Sequence, residues 1–125
     1  MKKKVETKKT LKDSGKEQTF STGAVRDDVG DKPSLELISP IFEQRLGQWL
    51  TEGAKRYARR NWEKGIPMER TLGSLKRHVN AYQEGKTDED HLAAIACNVM
   101  FLIHTEEMIK RGKLPDDLNY CPDYS

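Results

Sequence analysis

The sequence predicts an all-α fold, a three-helix unit forming a helical bundle. Apolar residues recur at helical spacing in two long stretches, and a third stretch, Leu92 to Ile103, is apolar around its whole circumference. Pro, Ser, Gly and acidic residues mark the ends of these stretches. A chain of 125 residues with 35% hydrophobic side chains suffices for one small domain and is too short for a multidomain enzyme. A helix that must be covered on every side leaves such a chain with apolar surface to spare. The bundle is therefore expected to be completed by a partner, most simply a second copy in a homodimer or a higher homo-oligomer.

The first helix is expected over residues 40–59. Ser39 is a suitable N-cap, Pro40 fits the first helical position, and Phe42, Leu46, Trp49, Leu50, Gly53 and Tyr57 form one face. Residues 60–67 (RNWEKGIP) read as a turn carrying a tryptophan. The second helix follows from about Pro67, with Leu72, Leu75, Val79 and Tyr82 on its apolar stripe and Gly85 as its C-terminal stop. Thr87 is the expected cap of the third helix, which places Asp88, Glu89 and Asp90 in its first turn, and Gly112 ends it. No strand signal is visible beyond the short run Leu35 to Ile38.

The formal net charge of +2 hides a segregation. Residues 1–20 carry seven Lys against three acids, so the rest of the chain is slightly acidic. Few apolar side chains accompany those lysines, and the segment is expected to be a disordered tail. Residues 21–112 then form the domain, opening on an irregular loop, and 113–125 form an irregular C-terminal tail that packs as a strap. Nucleic acid is not the expected partner, because the positive excess lies in the tail. Cys97 and Cys121 provide neither a CxxC pair nor a disulfide framework, which suits a reducing cytosol. No signal peptide is expected, and the 12-residue apolar run falls short of the roughly 20 residues that span a bilayer. The expected setting is soluble and intracellular, with no membrane partner.

Three constellations can carry chemistry. The first is Asp88-Glu89-Asp90-His91 with Asn98 and His104 on the same helix. Positions 91, 98 and 105 lie in one line and 90, 97 and 104 in the next, so the stripe can hold a divalent metal or a metal-bound phosphate. Alternatively the acids complement the helix dipole and Asn98 fixes the register of the bundle. The second is Arg77-His78. His78 falls in line with Thr71 and Ser74, borders the apolar stripe, and can face His91 across the bundle to bind metal or shuttle protons; a boundary histidine with one hydrogen bond is the alternative. The third runs Gly53 to Gly65, where Lys55, Arg56, Arg59 and Arg60 precede Asn61 and Trp62. Cations, an aromatic face and an amide are what a nucleotide requires, whereas a solvated basic helix end with Trp62 filling the bundle is the plainer account. No Walker A, GxGxxG, HExxH or GxSxG motif is present.

Four strings, TGAVRDDVGDKPSLELISP, EGAKRYARRNWEKGIP, RTLGSLKRHVNAYQEG and DEDHLAAIACNVMFLIHTEE, resemble in order and spacing the phage-borne dATP/dGTP diphosphohydrolase N-terminal-domain family over about residues 22–108. The resemblance implies a protein similar to the MazG-like all-α nucleotide pyrophosphohydrolases, acting in the bacterial host cytoplasm. Such enzymes cleave purine (d)NTPs to (d)NMP and pyrophosphate with Mg²⁺ or Mn²⁺ held by carboxylates. Carried onto this chain, it implies Asp88, Glu89, Asp90 and His91 as metal ligands, and Asp90, His91 and His78 as catalytic residues. Lys55, Tyr57, Asn61, Trp62, Lys64, Arg77 and Asn98 would then hold the nucleotide. MazG-like enzymes carry an ExxE and a later ExxD pair, and this sequence has neither. The alternative function is therefore a non-catalytic protein that sequesters a nucleotide or a nucleotide-derived defence signal.

Overall fold

The computed structural model describes residues 11–125, so the first ten residues of the expected tail lie outside it. Two compact units are present, one ending at Leu37 and one running from Ile38 to Ser125.

The first unit is a small antiparallel hairpin. Strand β1 (Glu17–Thr19) pairs with β2 (Val25–Asp27), Glu17 opposite Asp27 and Thr19 opposite Val25. The chain reverses at Gly23, whose φ of 88° is open to glycine and whose N–H bonds the Phe20 carbonyl at 2.9 Å. Ser14 closes the open end by donating its hydroxyl to the Asp27 carboxylate at 2.6 Å, and that bond holds the carboxyl below its usual range. These strands correct the expectation of a featureless segment over residues 11–33. They escape a periodicity search because both are three residues long, almost wholly exposed and joined by turn chemistry. The strand signal at Leu35 to Ile38 is also overturned: Leu35–Leu37 forms a single 3-10 turn, closed by Leu37 N–H on the Ser34 carbonyl.

The second unit holds three helices, so the chain is all-α apart from its hairpin. Helix α1 (Pro40–Tyr57) starts as expected, with Ser39 accepting from the Phe42 N–H and Pro40 in the first turn. It stops two residues short of the predicted end, at Ala58, which leaves the helix at φ 79° and ψ 158°. Helix α2 (Met68–Gln83) closes through Gly85 at φ 78°, which lets the Lys86 N–H reach back to the Ala81 carbonyl. Helix α3 (His91–Lys110) is capped by Asp90, which accepts from the Ala93 N–H at 3.2 Å. Thr87 is thus not the cap, and Asp88 and Glu89 sit in the turn before the helix. The shift has a cause: Asp90 is also gripped by Arg45 of α1, and one carboxylate serves both contacts.

Both α1 and α2 pack on α3. Small residues make this possible, since Ala93, Ala94 and Cys97 are the buried apolar positions of α3. His91, Asn98 and Thr105, each seven residues from the next, form a buried polar line beside them. α2 meets that line in antiparallel fashion, with His78 against His91 and Ser74 against Asn98. Because hydrogen bonds close this seam, α2 turns Met68 and Thr71 inward and leaves Val79 and Tyr82, two members of its predicted stripe, exposed. By length and by a mean hydropathy of 1.4, α3 is apolar enough to cross a bilayer. It packs against α1 and α2 and carries a buried polar line, while Leu92, Val99 and Ile103 stay exposed. At the opposite end of the seam, Gly65 at φ 103° receives Leu114 and Leu118 of the C-terminal segment. A Cβ there would come within 2.8 Å of the Leu118 side chain.

Candidate functional site

The site grows from the His78–His91 pair. Their Nδ1 atoms are 2.9 Å apart, and the other nitrogen of His91, Nε2, lies 2.8 Å from Asp88 Oδ1. A carboxylate only accepts, so Nε2 carries the proton and a neutral His91 presents a lone pair at Nδ1. His78 then donates its Nδ1–H to that lone pair. The bond to His91 draws the Asp88 carboxyl below its ordinary range. Glu89 completes the group, with Oε2 3.9 Å from His78 Nδ1. His91 is buried, His78 is half-buried against the edge of Trp49, and Glu89 reaches solvent.

On one side of the pair lies an aromatic cavity of about 330 Å³. Trp49, Tyr57, Trp62 and Phe101 supply its flat walls, and Asn61, Ser74, Asn98 and His78 its polar groups. Trp62 is stacked on Phe101 with ring centroids 4.9 Å apart and meets the His104 edge at 4.8 Å. Asn98 donates to Ser74 at 3.3 Å. The thiol of Cys97 also faces the cavity, and burial pushes it up to about 11. Size and lining both suit a small organic ligand with a flat ring and a few hydrogen-bonding edges.

On the other side lies an acidic pocket of about 460 Å³, bordered by Asp88, Glu89, Asp90 and His91 together with Arg45 and Lys86. The three acids have separate duties here. Asp88 orients His91, Asp90 binds Arg45 and caps α3, and Glu89 faces His78. The Arg45 guanidinium holds the Asp90 carboxyl well below the usual range. His78, Glu89 and His91 offer donor atoms that all lie within 4.8 Å of one another, a spacing that one divalent ion can bridge.

The structure therefore brings Tyr57, Asn61, Trp62, Asn98 and His78 to one cavity, and Asp88, Glu89, Asp90 and His91 to the pocket behind it. It leaves three expected nucleotide-binding residues outside both. Lys55 pairs with Glu52 at 3.1 Å, Lys64 is exposed, and Arg77 borders a separate groove with Arg70, Lys76 and Tyr120. Sequence reasoning missed Arg45, Trp49, Ser74 and Phe101 as site residues. Trp49 and Ser74 fall on helical lines visible in the sequence, but Arg45 reaches a partner 45 residues away and no local pattern marks it.

The fold and the site together define an all-α domain with an aromatic cavity set against a histidine–carboxylate cluster. The chain belongs to the dATP/dGTP diphosphohydrolase N-terminal family, whose model matches residues 22–117. A dATP/dGTP diphosphohydrolase of Salmonella phage PMBT28 is 34% identical over 83 residues, an alignment that covers 62% of this chain. The matched stretch spans only 28% of that relative's length. No solved structure matches the chain.

Proposed function

We propose that this chain binds a purine deoxynucleoside triphosphate and, with a divalent metal, hydrolyses it to the monophosphate and pyrophosphate in the cytoplasm of a bacterial host. The observation that carries the reading is the continuity of the aromatic cavity with the His78–His91 pair, which sets ring-binding walls beside metal-binding donors. Trp62, Tyr57 and Phe101 would hold the base, while Asn61 and Asn98 would meet its polar edges. His78, His91 and Glu89 would hold the ion at the inner end, with Asp88 orienting His91 and Asp90 fixing the turn through Arg45. A bound ion would neutralise phosphate charge and lower the pKa of a water; in the overall hydrolysis water adds to the α-phosphorus, the α–β bridging bond breaks, and pyrophosphate and a proton are released. A second copy of the chain would cover the apolar residues that α1 and α3 leave exposed.

One observation favours the non-catalytic alternative. Glu89 is the single carboxylate of the acidic turn free of another duty, where a triphosphate hydrolase of the MazG-like kind would offer two pairs. Incubation with each dNTP and Mn²⁺, followed by chromatography of products and retained ligand, separates the readings. Hydrolysis predicts dAMP and dGMP with pyrophosphate, and retention weakened about tenfold by Trp62→Ala, the scale of one lost stacking contact. Intact dNTP held without turnover establishes sequestration instead, and neither binding nor turnover overturns both.

A further inference from the structure

The geometry points to a three-donor site, His78 Nδ1, His91 Nδ1 and one Glu89 oxygen, that takes a first-row transition ion such as Mn²⁺, Co²⁺ or Zn²⁺ in preference to Mg²⁺, with Asp88 as the positioning residue. It deepens the reading above, which leaves the metal unspecified, and it needs no nucleotide to be tested.

The donor set argues for the class of ion. Imidazole nitrogen suits Co²⁺ and Zn²⁺, whereas Mg²⁺ keeps oxygen ligands and water, and Mn²⁺ lies between them. The spacing argues for the site. Two nitrogens each about 2.1 Å from one ion, at right angles, stand about 3.0 Å apart. The two Nδ1 atoms are already at 2.9 Å, and the ion takes the place of the proton between them once neutral His78 adopts its Nε2–H tautomer. Glu89 Oε2, at 3.9 Å from His78 Nδ1, belongs to a half-exposed side chain with room to close the third edge. The Asp88 contact argues for preorganisation: it fixes the proton of His91 on Nε2, turns the lone pair of Nδ1 toward His78, and repeats the carboxylate–histidine–metal arrangement that orients ligands in metalloproteins. Asp90 is outside the set, because its oxygens are engaged by Arg45 and the Ala93 N–H. Three protein donors leave the ion's remaining positions to water or a further ligand.

The test is calorimetric titration of the chelator-stripped full chain with each metal alone, no nucleotide present. One Co²⁺ or Zn²⁺ per chain, bound at least about 100-fold more tightly than Mg²⁺, is expected. His91→Gln and His78→Gln should each abolish that preference, Asp88→Asn should weaken Co²⁺ binding about 10- to 100-fold, and Glu106→Gln, on an exposed position of α3, should leave it unchanged. In wild-type protein, substoichiometric Mn²⁺ should broaden the His78 and His91 ring resonances before that of His104, a readout independent of whether any variant folds. Equal affinity for Mg²⁺ and Co²⁺, or broadening that spares the two rings, overturns the assignment. A positive metal result with no dNTP bound would retain the site while rejecting the nucleotide function.

Discussion

Ala58 adopts φ 79° and ψ 158°, a region of backbone space that is almost exclusively glycine's. Two residues on, Arg60 sits at φ 59°, also left-handed. Together they turn the chain sharply after α1 and deliver Asn61 and Trp62 to the cavity. The strain at Ala58 costs on the order of 1–3 kcal/mol, and Gly in its place would relieve it while losing somewhat more entropy on folding. Ala58→Gly is accordingly expected to raise stability by about 1 kcal/mol, seen as a higher urea midpoint at unchanged slope. No reading of the sequence finds this residue, since GAKRYARRN looks like an uninterrupted basic helix end. His78 is different. Its placement in line with Thr71 and Ser74, at the border of the apolar stripe, is enough to direct it toward the third helix, where it meets His91.

At the scale of the element, the beginning of α3 is fixed by one carboxylate. Asp90 caps the helix and ties it to α1 through Arg45, a half-exposed pair of modest strength. Asp90→Ala removes both contacts and is expected to cost about 1–2 kcal/mol in urea unfolding, while Asp90→Asn keeps the cap and costs less. The three helices were legible because their ends are chemically marked: Ser39-Pro40, Gly85 and Gly112 stop or start them within two residues of where they fall. The cap of α3 was misplaced because Thr87 and Asp90 are both competent, and Arg45, distant in sequence, decides between them. The heptad spacing of His91, Asn98 and Thr105 gave the polar line directly. What faces it did not follow, because hydrophobicity alone ranks Val79 and Tyr82 above Thr71 and Ser74, whereas hydrogen bonds set the rotation of α2.

At the scale of the whole molecule, few apolar residues are buried among those described. Met68, Ala93, Ala94 and Cys97 are buried, while Ile41, Phe42, Leu92, Val99 and Ile103 are exposed, the last by 66%. Leu92, Val99 and Ile103 share one face of α3 at spacings of seven and four. With the proposed second copy on that face, sedimentation should show a concentration-dependent dimer that Ile103→Glu shifts to monomer; a monomer at all concentrations in both forms would reject it. The two pockets impose a further relation on the molecule. His78 lines the aromatic cavity and His91 the acidic pocket, and the two rings are joined Nδ1 to Nδ1 at 2.9 Å. Should a cation bind at the histidines, any factor by which it alters affinity in the aromatic cavity must be returned in equal measure by the ligand of that cavity.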